Sequence, residues 1–394
     1  VLGVTNVVGT LPMASAAVPS IATAAAARPV VFSGALTTVP VPVRIDPTGT
    51  QDVGPALTDF FRSIGNGSRV LLAPGATYRI ETAVVIKDKQ DLLIDGNGAK
   101  TITTTRGDRT RQHWRVLGGD RIAIRNLTVK GANPNAGTSE GAGVTELEAQ
   151  HGFNFAGTHG VDLYNVTVTD VYGDFVYLGW DSGTGRWSED VRVHDSTFLR
   201  NGRQGMALTG ARRVRIDNNV IGQTRRATFD LEPNGGRTGV EDVTIENNDV
   251  GPGRLNFISA VGSGPVNRVV VRNNTLTGRA MNSTLGSLTE RRSDWTISGN
   301  TSDTRFGNPS GGIMAFRLID RIVVSRNTQP AQVGRAMHLV DLNASCAAVV
   351  AGNRVSAGAE VRTSAPCPTV AGQDRPSRSV VKSLRLKSLR PIGR

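Results

Sequence analysis

"VTIENN" (243–248), "VVVRNN" (269–274) and "WTISGN" (295–300) are three instances of one pattern, an aliphatic-x-aliphatic stub running into a turn that ends on Asn. The pattern returns as "LLIDGN" at 92, "IAIRN" at 122, "VDLYN" at 161, "VRVHD" at 191, "VRIDNN" at 214, "IVVSRN" at 322 and "AVVAGN" at 348. From 191 onward the spacings are 23, 29, 26, 26, 27 and 26 residues, the period of a repeated structural unit. Within a unit the apolar positions alternate, so each reads as short strands separated by turns of Asn, Asp and Gly, residues that tolerate left-handed backbone angles. Such a strand set cannot bury its apolar face alone. Stacked in register at a spacing of about 4.8 Å, successive units share one continuous core of Val, Ile and Leu. The expected fold class is all-β, a parallel β-solenoid of about ten coils and roughly 50 Å in length. Asn at the equivalent turn of each coil then stacks and hydrogen-bonds along the axis, a structural role.

The open end of such a stack needs a cover. "DVGPALTDFFRSIG" (52–65) reads as a short capping helix, with Pro55 near its start, Leu57, Phe60, Phe61 and Ile64 on one side and Gly65 as its stop. "SRVLLAPGATYRIETAVVI" (68–86) gives strands around a Pro-Gly turn that form the first coil. Residues 1–44 read as a leader or disordered Ala-rich segment, 45–370 as the β-helix domain and 371–394 as a basic C-terminal tail. Arg28 is the one charge in the first thirty residues, which look like the apolar end of an export signal, so a secreted or cell-surface location is expected. No run approaches the ~20 apolar residues of a membrane span. Cys346 and Cys367, 21 positions apart, fit neither a disulfide scaffold nor a zinc motif; a single late disulfide or two buried thiols are the alternatives. The net charge is +12, but residues 371–394 hold seven Lys or Arg against one acid, leaving the rest of the chain at +6. A mildly basic body suits an acidic glycan or an anionic envelope, and without aromatic-interleaved basic patches nucleic acid is not an expected partner.

The order "DPTGTQDVGPALTDFF" (46–61), "VLLAPGATYRI" (70–80), "LLIDGNGA" (92–99), then coil repeats, resembles the pectin lyase-like superfamily of right-handed parallel β-helix proteins. The resemblance covers about residues 45–360. It implies a polysaccharide partner and a site on one exposed sheet of the middle coils. It carries over no catalytic residue. The Asp-Asp and Gly-His-Gly signatures of the polygalacturonase-type hydrolases are replaced by "YGDFVYLG" (172–179) and "NGRQGMALTG" (201–210), and the Arg-x-x-Pro-x-x-Arg signature of pectate lyases is absent.

Candidate residues therefore come from strand register. Aligning "GFNFAG" (152), "DFVYLGW" (174), "GMALTG" (205), "TFDLEP" (228), "NFISAV" (256), "IMAFRL" (313) and "MHLVDL" (337) turns Val176, Leu178, Met206, Leu208, Phe229 and Leu231 inward. The outward set is then Phe175, Tyr177, Ala207, Thr209, Asp230 and Glu232. Asp230 and Glu232 are the expected catalytic carboxyls, with Arg203 beside them as the third catalytic candidate. Tyr177, Trp180, Gln204 and Asp174 are the expected substrate-binding residues. Asp181, His159, His194 and His338 are further candidates. Two chemistries fit: hydrolysis, with one carboxyl protonated by the proximity of the other, or a lyase reaction in which the carboxylates hold Ca²⁺ and Arg203 or a His takes the C5 proton. A non-catalytic glycan- or envelope-binding β-helix is the alternative of a different class. Asp230 and Glu232 would then be an acidic edge solvated near Arg225, Arg226 and Arg237.

Overall fold

The structure, a computed structural model, describes residues 23–368 except 109–110, 236, 288, 306–311, 331–337 and 356–360. The first 22 residues of the expected leader and the expected basic tail lie outside the described residues. All ladder pairings between strands are parallel, as in Val191↔Val214, Val214↔Val243, Val243↔Val269, Val269↔Trp295, Trp295↔Ile322 and Ile322↔Ala348. These are the first residues of successive sequence repeats, and every one of them is buried. The sequence period is thus the register of the stack.

Among the described residues 11 strands form one sheet and 22 another, giving about eleven turns. The larger sheet bends at a corner crossed by the long strands Asp120–Lys130 and His159–Val171, which pair on both sides of it. Inside, Val, Ile, Leu and Phe from both sheets make a single core along the whole axis. The expected helix is present as Gly54–Ser63 and buries Leu57, Phe60 and Phe61. Phe61 meets Trp114 edge-on at 5.9 Å, and the helix packs on Val84–Lys87, the first strand of the 11-stranded sheet.

The repeated Asn are structural, as expected. Asn219, Asn248, Asn274, Asn300, Asn327 and Asn353 form a buried ladder in which each amide oxygen after the first accepts the backbone N–H and the Nδ2–H of the Asn one coil before it, at 2.9–3.0 Å, while that of Asn219 accepts the Ser196 N–H. The residue before each ladder Asn takes the left-handed conformation: Asn218, Asn247, Asn273, Gly299, Arg326 and Gly352 have φ between 55° and 67°. That is why the pair is written Asn-Asn, Gly-Asn or Arg-Asn. The first member makes the corner and the second ties coil to coil.

A second left-handed corner carries charge. Asp91, Arg121, Asp190, Arg213, Asp242, Arg268, Asp294 and Arg321 all have positive φ and form four bidentate Asp–Arg pairs between adjacent coils. Onto this column the chain lays its own N-terminal segment. The backbone N–H groups of Ala25, Arg28 and Ser33 donate to Asp242, Asp190 and Asp91 at 3.0, 3.1 and 2.9 Å. The fit is metric: three extended residues cover about 10 Å, the rise of the two coils between Asp190 and Asp242. Thr37–Pro40 then pairs with Ser68–Leu71 as the outermost strand. The β-helix body therefore begins before residue 45, contrary to the expected boundary. The sequence hides this because Pro40 argues against a strand except at a sheet edge, where this strand lies. Removing residues 1–33 is expected to lower the melting temperature by roughly 3–6 °C, measured by circular dichroism; an unchanged melt would mean that the arm adds no net stability.

At the other end Cys346 and Cys367 form a disulfide, which settles that alternative. No helix among the described residues is long and apolar enough to cross a membrane.

Candidate active site

The 11-stranded sheet contains every strand of the sequence alignment. Its register places Arg115, Asn154, Tyr177, Ala207, Asp230 and Ser259 in one outward column, one residue per coil. Val176, Leu178, Met206, Leu208, Phe229 and Leu231 point inward and join the core. Phe175 does not face outward: it is buried and packs on Phe198 at 5.7 Å. The strand is bounded at Val176–Gly179, and the alternation of faces does not extend through the corner at Asp174–Phe175.

Asp230 is 1% exposed and its Oδ1 has no hydrogen-bond partner. Burial, then the neighbouring Glu232 and Asp174, push its carboxyl up to about 8, with Arg203 opposing. Glu232 is two residues along the chain from Asp230 and is the more exposed of the two. Arg203 comes from the turn before Met206–Leu208 and points back one coil, donating to Asp174 Oδ2 at 2.8 Å and lying 3.4 Å from Glu148. Asp174, fully buried, also accepts the Gln204 backbone N–H at 2.9 Å, and burial pushes its carboxyl up to about 6 against the pull of Arg203.

Asp174 and Gln204, expected to bind substrate, are therefore struts. Asp174 anchors Arg203, and the Gln204 side-chain oxygen accepts the Ala227 N–H at 2.8 Å. Trp180 lies at the far end of its strand, in an antiparallel bridge with Trp187, and is not part of the cavity beside Tyr177. Asp181 closes its own turn by accepting from Gly183 N–H and Thr184 Oγ1. His159 and His194 belong to the other sheet, where His194 sits between Asp162 and Asp195 at 2.9 and 2.5 Å. His338 is on the sheet of Asp230 but four strands further along.

The structure adds residues that the alignment passed over. A cavity of about 340 Å³ lies one to four coils before Asp230, lined by Gln112, Glu148, Ala149, His151, Asn154, Tyr177 and Arg203. His151 stacks on the Tyr177 ring at 4.7 Å, and its Nδ1 accepts the Asp174 backbone N–H at 3.1 Å. Burial, then Arg203 and His113, hold His151 down at about 3, so at neutral pH it is uncharged with its proton on Nε2. Tyr177 receives the Thr209 hydroxyl at 2.8 Å and is raised by burial. Residues 131–152, the long connection into Phe153–Ala156, wall this side. Glu148 of that wall pairs with Arg203 and with Arg226 at 2.9 Å, while Glu140 binds Arg225 and Arg254. His151 was findable, since it precedes its strand at the same offset as Asp174 and Gln204. Glu148 and Gln112 were not, because they sit in connections that carry no period. Among the described residues no three His, Cys, Asp or Glu side chains converge as metal ligands.

The family description "right handed beta helix region" matches residues 115–276, the coils that carry Asn154, Tyr177, Arg203 and Asp230. Over those coils the chain matches that description, and its fold is a right-handed parallel β-helix. No curated protein sequence matches it significantly. Among solved structures, this β-helix protein is similar to a mutant tailspike protein of Escherichia coli bacteriophage HK620 in complex with a pentasaccharide, with a TM-score of 0.61 at 13% identity over 81% of this chain and 61% of the tailspike. It is also similar to an alginate lyase from a Paenibacillus strain, with a TM-score of 0.50 at 15% identity over 82% and 97% of the two chains. The surface protein and adhesin PfbA of Streptococcus pneumoniae gives 0.53 at 14% identity over 83% and 100%. The β-helix chain thus spans only 61% of the tailspike's length, and at these identities the likeness is one of fold.

Proposed function

We propose that this protein is an extracellular polysaccharide-cleaving enzyme of the glycoside hydrolase type, acting along the outward column of the 11-stranded sheet. One observation carries the reading. Asp230 is a buried carboxyl held near 8, a proton donor ready at neutral pH, on the outward column one coil beyond the Arg203 that lines the neighbouring cavity with Tyr177. Asp230 gives its proton to the leaving glycosidic oxygen. Glu232, the more exposed carboxyl of the two, stabilises the positive charge that develops at the anomeric carbon; water then adds there and returns a proton to Asp230. Asp174 holds Arg203 in place, and Arg203 limits the rise of the Asp230 carboxyl. The Cys346–Cys367 disulfide supports an oxidising, extracellular compartment.

The fold likeness to a tailspike, a lyase and an adhesin favours a glycan partner without choosing among cleavage by hydrolysis, elimination or binding alone. Product chemistry chooses. On a panel of polysaccharides that includes alginate and polygalacturonate, the expected result is new reducing ends without an unsaturated product, at a rate unaffected by EDTA. An unsaturated product with Ca²⁺-dependent formation would replace hydrolysis by the lyase reading. Retention of a glycan without cleavage would make the protein a binding module.

A further inference from the structure

Asn154 stands in the outward column one coil before Tyr177 and three before Asp230. It is 8% exposed and lines the 340 Å³ cavity. Its Nδ2 donates to Gln112 Oε1 at 2.8 Å, which leaves Oδ1 buried and without a hydrogen-bond partner. A buried acceptor in that condition calls for a donor. On the same side of the cavity His151 is neutral and spends Nδ1 on the Asp174 backbone, so Nε2–H is its remaining donor. The cavity therefore combines an unpaired acceptor with an uncharged donor, next to the Tyr177 ring. Neighbouring sugar hydroxyls, each of which donates and accepts, match that pair; a carboxylate, which only accepts, would leave Asn154 Oδ1 unmet.

We propose that this cavity is a second sugar subsite, in which Asn154 Oδ1 accepts a hydroxyl proton from a pyranose of the same chain that is cut at Asp230. This rests on the polysaccharide reading of the trough. Three coil steps of about 4.8 Å separate the two places by roughly 14 Å along the axis. A glycan lying along the column meets both. The subsite fixes the chain at the N-terminal side of the reacting bond and makes the enzyme prefer chains long enough to span it.

The test is calorimetric titration of hexasaccharides of mannuronate, galacturonate, glucose and N-acetylglucosamine, β-1,4-linked where neutral, into an Asp230→Asn protein that binds without turnover. Added Asn154→Leu is expected to weaken the bound hexasaccharide at least tenfold, about 1.4 kcal/mol. Asn154→Ser, which withdraws the oxygen without adding an apolar group, gives the same loss should the leucine variant fold poorly. Asn154→Asp keeps an acceptor in place and stays within about threefold of the parent, a rescue that a packing role would not produce. Equal affinity in the parent and in both Asn154→Leu and Asn154→Ser overturns the subsite and leaves the polysaccharide reading standing. Binding of no hexasaccharide by the parent, together with no cleavage by the unmutated protein, overturns both.

Discussion

Replacing Asp230 by Asn is expected to lower turnover of the cleaved glycan by roughly 10²–10⁴-fold, the contribution of a positioned general acid, and at the same time to stabilise the protein at alkaline pH. The two effects have one cause. Burial and the Glu232 carboxyl raise Asp230 to about 8 in the folded chain, against ~3.9 in an unfolded one. A group raised in this way supports folding fully below its unfolded value, and that support is lost as pH climbs toward 8. Asn cannot ionise. The difference in melting temperature between Asp230→Asn and the unmutated protein should therefore grow in favour of the variant from pH 4 to pH 8. The same proton sets activity, so kcat/KM is expected to hold through neutrality and to fall about tenfold per pH unit above 8. Glu232→Gln removes the charge beside Asp230 and should move that alkaline limb to lower pH. Full activity in Asp230→Asn, or an alkaline limb that Glu232→Gln does not move, would take the catalytic role away from this pair.

Asn274→Ala is expected to cost about 3–5 kcal/mol of stability, at the upper end for a single substitution. Asn274 accepts the backbone N–H and Nδ2–H of Asn248, and its own Nδ2 donates to Ile245 O, Arg272 O and Asn300 Oδ1. Alanine removes all five bonds and leaves the buried Asn248 backbone N–H without its acceptor, while Asn300 Oδ1 keeps the residue-274 N–H and Asn248 Nδ2 keeps Ile216 O and Glu246 O. Its neighbour is a control. Asn273, with φ 55°, is solvent-facing and serves only to make the turn, so Asn273→Ala should cost about 1–2 kcal/mol, the left-handed penalty. Each coil contacts mainly the coils beside it. Opening in Asn274→Ala should then begin locally, with amide exchange accelerating first around residues 245–275. Equal losses in the two variants would mean that the ladder bonds add nothing beyond the turn.

Much of this molecule is set by one-dimensional information. A 26-residue period with alternating apolar positions has one economical solution, a stack in which the period is the register, and the Val191 to Ala348 column follows it coil by coil. The Asn-Asn corners, the capping helix and the inward face of the Asp230 strand follow from local chemistry: which residues accept positive φ, which side of a strand is apolar, where Pro and Gly stop a helix. By the same local rule Asp230 and Glu232 share a face. What the local rule does not carry is environment. Whether Asp230 is a solvated acid or a buried proton donor depends on side chains brought over from Arg203, Asp174 and the coil before, all of them one or two coils away. Asp174 and Gln204 look like ligand-binding polar residues in sequence and become struts only when a neighbouring coil supplies the atoms they bond. Trp180 looks like a stacking platform and ends up in a bridge with Trp187. Nor does periodicity reach the aperiodic parts: the 131–152 wall that brings Glu148 and His151 to the trough, and the 25–33 arm whose backbone finds every second charge of the Asp–Arg column. Repetition determines the scaffold because each coil solves the same burial problem; the site is decided by contacts between coils that are not repeats of one another.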